Sequence, residues 1–177
     1  MNLEAQVETL KTAIRDVPDF PKPGIVFKDI TTLLQDAVLF RRTVDLLVVL
    51  AGDRPVDRIV AIESRGFLLG GALAHRLGAG LVLVRKPGKL PWKTVSARYE
   101  LEYGTDSVEM HEDALTAGDR VLIVDDVIAT GGTARAVGEL TEGLGATISA
   151  YLFLAELTFL NGRKQLPGQE ILSLIRY

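Results

Sequence analysis

The residues best placed to do chemistry lie in one string, VLIVDDVIATGGT, from Val121 to Thr133. A buried apolar strand here delivers two adjacent carboxylates, Asp125 and Asp126, and a short turn then opens a helix. Thr130, Gly131, Gly132 and Thr133 offer backbone N–H groups at that helix N-terminus, where no bulky side chain blocks a phosphate. Two hydroxyls add further donors. The aspartates repel an anion, so they must address ribose hydroxyls or a divalent metal instead. Together these parts describe a pocket for a ribose 5-phosphate. No G-x-x-x-x-G-K-[ST] or G-x-G-x-x-G occurs anywhere, which removes the Walker A loop and the dinucleotide fingerprint from consideration.

Three further segments carry charge in suggestive places. Arg65, in Glu63-Ser-Arg-Gly-Phe67, follows a strand, and its planar, multidentate guanidinium suits an array of pyrophosphate oxygens. Arg85, Lys86, Lys89 and Lys93 fall within nine positions and begin at another strand's carboxyl end. Pro87, Gly88 and Pro91 make that loop irregular, consistent with a lid over substrate. In Arg98 to Gly104, alternation places Tyr99, Leu101 and Tyr103 on one face and Glu100 and Glu102 on the other, as in a hairpin arm. His75 and His111 have no partner at metal-ligand spacing and are expected to be structural.

The elements that must hold these residues follow from periodicity. Leu3, Val7, Leu10 and Ile14 predict a first helix ending before Pro18, and Pro18 to Gly24 reads as a rigid, extended loop. A second helix is expected over about Ala37–Ala51, then a strand Arg58–Ile62 and a helix Gly66–Leu77. Strands Leu81–Arg85 and Val121–Asp125, a helix from about Ala134 to Leu144, and strands Thr147–Leu154 and Ile171–Ile175 complete the series. Gly70 and Gly71 are expected to allow close helix–sheet packing. Continuous apolar strands alternating with helices demand an α/β fold with a sheet covered on both faces. In such sheets ligands bind beyond the carboxyl ends of the strands, where the charged residues cluster.

The 177-residue, 19.2 kDa chain suits a single domain, 1–177. It has no cysteine, which excludes disulfides and thiolate metal sites and fits a reducing, cytoplasmic compartment. A net charge of −3 and a pI near 5.4 argue against nucleic acid as a partner. The N-terminus lacks a signal peptide's pattern, and no apolar run approaches the roughly 20 residues of a membrane span.

The string at 121–133 resembles the phosphoribosyl-pyrophosphate signature of type I phosphoribosyltransferases. The resemblance covers nearly the whole chain and narrows to the adenine phosphoribosyltransferases. Residues 20–30 (FPKPGIVFKDI), 63–67 (ESRGF), 84–91 (VRKPGKLP) and 99–104 (YELEYG) carry it. It implies the type I fold, a central mostly parallel sheet flanked by helices. It also implies an N-terminal hood over about 1–35 and a flexible lid and hairpin over about 85–110.

By that resemblance Glu102 is the catalytic carboxyl, exchanging a proton with purine N7, and Tyr103 beside it contacts substrate. Ala129 to Thr133, Asp125 and Asp126 hold the ribose phosphate. Ser64, Arg65, Arg85, Lys86 and Lys89 hold pyrophosphate, and one of the basic residues could reach across a dimer interface. Phe27 stacks on the base while the Val26 backbone pairs with the adenine edge. Lys28 stands where many relatives carry Arg, and Trp92 where a small residue is more usual. Adenine and phosphoribosyl pyrophosphate are the implied substrates, with Mg2+ held mainly by substrate rather than by direct protein ligands, in a homodimer. Two alternatives stay open: a preference for hypoxanthine, guanine or xanthine, and a non-catalytic transcription regulator on the same fold.

Overall fold

The computed structural model describes residues 2–101 and 104–177, and only the backbone at 100, 101, 104 and 105. Two compact units are distinguished, residues 1–46 and 47–177.

In the first unit, helix α1 (Leu3–Ala13) begins at Asn2, whose side chain accepts from the Ala5 N–H at 2.8 Å. That bond satisfies one of the first-turn donors a helix leaves open. Strand β1 (Arg15–Pro18) pairs antiparallel with β2 (Val26–Asp29). The extended loop expected from Pro18 to Gly24 is therefore a hairpin connection. Asp19, at φ 55°, and Gly24, at φ 85°, turn the chain, and the Asp19 carboxylate accepts the Gly24 N–H at 2.7 Å. The short helix α2 (Thr31–Leu34) follows, docked on α1 with Thr32 Oγ1 donating to the Ala13 carbonyl at 2.6 Å. Helix α3 spans Ala37–Ala51, as periodicity predicts, and its residues from Leu47 onward belong to the second unit.

The second unit is built on a five-stranded parallel sheet. Its members are β3 (Arg58–Ile62), β4 (Gly80–Val84), β7 (Arg120–Ile128), β8 (Thr147–Glu156) and β9 (Ile171–Arg176), in the order β4-β3-β7-β8-β9. A separate antiparallel hairpin pairs β5 (Thr94–Leu101) with β6 (Gly104–His111). Helix α4 (Gly66–Leu77) packs on β3, β7 and β4, and α5 (Gly132–Gly143) packs on β7, β8 and the hairpin. Val60, Ile62, Val121, Ile123, Val137, Tyr151 and Phe153 form part of one buried cluster between these layers.

Two glycines set the spacing of the layers. A Cβ on Gly70 of α4 would lie 2.5 Å from that of Ala61 on β3, so only glycine lets the helix sit this close. A Cβ on Gly66 would lie 2.8 Å from a carboxylate oxygen of Asp125. Gly71 meets only ordinary contact, so the close packing expected of both Gly70 and Gly71 holds for Gly70 alone. Among the described residues no helix is long and apolar enough to cross a membrane.

The strand order reverses between β3 and β7, because β3 leads outward to β4 and β7 leads the other way to β8 and β9. Such a reversal opens a crevice at the strands' carboxyl ends. The sequence segments carrying Arg65 and Asp126 arrive there from its two sides.

Candidate active site

Strand β7 continues to Ile128, three residues beyond the Asp125 at which the sequence pattern ends it. The aspartates consequently sit within a strand rather than on the turn. Asp125 lines a recess of about 90 Å3, open to solvent, together with Val127 to Ala134 and Phe153. Asp126 is 5% exposed and accepts a short hydrogen bond from Arg65 Nε. Burial, then the neighbouring Asp126 charge, pushes the Asp125 carboxyl well above the usual aspartate range.

The recess floor is the turn into α5. Gly131 adopts φ 86°, and its carbonyl receives the first helical N–H, that of Arg135, at 3.0 Å. No side chain caps this helix end. A helix end without a capping side chain leaves its first-turn N–H groups, and the positive end of the helix dipole, suited to an anion. The turn is braced from below by the 3-10 turn Gly162–Gln165, which the sequence reading missed. Arg163 in that brace is locked to Glu156 at the end of β8, with Nε–Oε1 at 2.6 Å and Nη2–Oε2 at 2.8 Å. Arg163 holds the Glu156 carboxyl below its ordinary value, against the opposing effect of burial.

Across the crevice, β3 is followed by Glu63, Ser64 and Arg65, with a cis peptide between Glu63 and Ser64. Glu63 accepts from Arg85 Nη2 at 3.0 Å and from the Lys86 N–H at 2.9 Å. The Arg85 guanidinium holds the Glu63 carboxyl below its usual range. Arg85 also exchanges two backbone bonds with Glu109, at 2.9 and 2.8 Å, which ties β4's carboxyl end to β6 and moves Arg85 out of the strand expected to include it. Lys86 reaches Tyr99 Oη at 2.7 Å and makes a short bond to Asp106. Burial works against its charge, but the bonds from Asp106 and Tyr99 outweigh it and raise its pKa. Lys89 contributes its carbonyl to Arg85 at 3.0 Å.

In the 1–46 unit, Val26 faces Pro18 in register, and proline has no N–H to offer the Val26 carbonyl. Phe27 packs edge-on against Phe20 with ring centroids 5.2 Å apart. Lys28 Nζ donates to Asp16 at 2.6 Å. Glu102 and Tyr103 lie outside the described residues.

A family model for the phosphoribosyl transferase domain matches residues 48–161. An adenine phosphoribosyltransferase of Geobacter metallireducens is 58% identical over 171 residues, which is 97% of this chain and 100% of that protein. The chain belongs to the adenine phosphoribosyltransferase family. The crystal structure of the Thermoanaerobacter pseudethanolicus member superposes with a TM-score of 0.95 at 55% identity, covering 97% of this chain and 99% of the other. That of the Saccharomyces cerevisiae member, complexed with D-2,5-dideoxy-2,5-imino-altritol 1,6-bisphosphate and adenine, superposes with a TM-score of 0.91 at 43% identity, over 97% and 99%.

Membership fits the α5 turn, which opens beside the Asp125 carboxyl in one recess. The sequence pattern finds that turn because glycines and hydroxyls are contiguous there. Glu156, Gly162 and Arg163 have no comparable signature, since they act on the turn only through tertiary contact.

Proposed function

We propose that this chain transfers the phosphoribosyl group of phosphoribosyl pyrophosphate to adenine, giving AMP and pyrophosphate in purine salvage. The observation that carries the proposal is the glycine-bearing turn at Gly131, which opens α5 at the reversal point of a parallel sheet with Asp125 beside it. The amides of Thr130 to Thr133 bind the 5-phosphate, and Asp125 accepts from the ribose hydroxyls. Arg65, with Ser64, Arg85, Lys86 and Lys89, stabilises the charge that gathers on the leaving pyrophosphate. Asp126 orients Arg65 through their mutual bond. The Val26 backbone and the Phe27 ring recognise adenine, and an unmatched purine leaves fixed donors and acceptors unpaired. Glu102 exchanges the proton at purine N7, with Tyr103 beside it, while the loop from Arg85 to Pro91 closes over substrate.

Among the described residues no group of three His, Asp or Glu side chains forms a metal cage. A hard divalent ion would then be held mainly by substrate oxygens and waters, with no residue assigned as a direct ligand. The negative charge developing on the leaving pyrophosphate would be neutralised in part by such an ion.

The active species is proposed to be a cytoplasmic homodimer. Edge strand β4 exposes Leu81 and Leu83, at 44% and 38%, and neighbouring α4 exposes Leu68 at 52%. A second copy would cover these side chains. Light scattering is expected to give twice the chain mass, and a monomer would contradict it. Activity is tested by AMP formation from adenine and phosphoribosyl pyrophosphate with Mg2+, in competition with hypoxanthine, guanine and xanthine. Adenine is expected to dominate. Turnover of another base in preference would contradict the base assignment, and absence of any nucleotide product would leave the regulator reading instead.

A further inference from the structure

Tyr99 and Asp106 stand directly opposite each other in the β5–β6 ladder and converge on one ammonium group. The Tyr99 ring is 3% exposed and packed in the core with Val84, Val108 and Met110, so its hydroxyl is a fixed point. That hydroxyl donates to Asp106 Oδ2 at 3.1 Å, while Asp106 Oδ1 accepts the Ser107 N–H at 2.8 Å. The carboxylate is thus held at both oxygens. Onto this platform comes Lys86 Nζ, bonded to Asp106 and, at 2.7 Å, to Tyr99 Oη. At its other end the Lys86 backbone N–H is fixed by Glu63 at 2.9 Å.

An ammonium has three donors. Two are taken here, and the third has no partner among the described residues. We propose that Tyr99 and Asp106 are positioning residues that aim Lys86, leaving one N–H to meet the pyrophosphate. The inference rests on the reading of Lys86 as a pyrophosphate ligand. It concerns residues that do not themselves touch substrate. Their effect is to remove in advance the rotamer freedom a surface lysine loses on binding an anion, a preorganisation that corresponds to about three- to tenfold in affinity.

The sign of the effect separates this role from simple electrostatics. Neutralising an acid beside an anion site raises the local positive potential and should tighten binding. Loss of positioning weakens it. Steady-state kinetics of Asp106→Asn and Tyr99→Phe, each alone and combined with Lys86→Met, tests the proposal. Each single variant is expected to raise KM for phosphoribosyl pyrophosphate about three- to tenfold, leaving KM for adenine unchanged. In the Lys86→Met background the same substitutions should add nothing further. An unchanged or lowered KM in both single variants, or an equal rise without Lys86, would overturn it. Tyr99→Phe keeps the buried ring and so retains the core should Asp106→Asn fold poorly. A wild-type enzyme that makes no AMP, or a Lys86→Met enzyme with normal KM, would instead sink the reading beneath the inference.

Discussion

A Cβ built on Gly131 would stand 2.3 Å from the Gly162 carbonyl oxygen, and one built on Gly162 would stand 2.4 Å from that of Ala129. The phosphate turn and its brace therefore touch backbone to backbone, and neither can carry a side chain without displacing the other. Gly162→Ala is expected to raise KM for phosphoribosyl pyrophosphate by about tenfold or more, in line with the cost of a roughly 1 Å misplacement of binding groups. The control is Gly143→Ala at the end of α5, where an added Cβ meets nothing within 4 Å. That variant should keep normal kinetics.

Glu156 anchors the same brace. Its side chain is 7% exposed, and it accepts from Arg163 and Ser173. Glu156→Gln at pH 7 is expected to lower stability by about 2 kcal/mol and Tm by about 4–8 °C. Because the folded carboxyl is held below its ordinary 4.5, its contribution is present above that value. It is lost as pH falls through the lower folded value. Thermal melts from pH 8 to pH 3 should show the gap between wild type and variant closing at the acid end.

Asp125 has the opposite linkage. Its folded pKa is raised, so ionisation costs stability once pH passes the unfolded value near 3.8. Asp125→Asn should therefore raise Tm by about 2–4 °C, corresponding to about 1 kcal/mol. The gain should grow as pH rises from 3.8 towards the folded value. The same variant should bind phosphoribosyl pyrophosphate more weakly, because a neutral amide is a poorer acceptor for ribose hydroxyls. Calorimetric melts and titrations on one preparation check both signs.

Much of this arrangement was legible in the chain itself, for identifiable reasons. Strands β3, β7 and β8 are continuous apolar runs, and only a sheet covered on both faces demands such runs. The anion turn is contiguous, so Thr130 to Thr133 announce themselves. Two things were hidden. The β1–β2 hairpin was obscured because Pro18, Pro21 and Pro23 read as an irregular loop, whereas Asp19 and Gly24 close it. The Arg65–Asp126 and Lys86–Asp106 pairs join residues far apart in sequence, and no local pattern marks which acid a given base will meet. The end of β7 was also hidden, since the strand continues past the aspartates to Ile128.

Glu102 is assigned by likeness to the family, and kinetics can test it without reference to geometry. Glu102→Gln is expected to lower kcat about 10²- to 10⁴-fold, the usual contribution of general acid–base help. KM for adenine should change far less. An unchanged kcat would remove Glu102 from that role.

The grip of the α5 turn on a sugar phosphate is the feature from which the proposed activity follows. The direct measurement is a crystal structure of the chain with AMP. The 5′-phosphate is expected against the N–H groups of residues 130–133, with a ribose hydroxyl donating to Asp125. A phosphate bound elsewhere, with that turn contacting only solvent, would contradict the assignment.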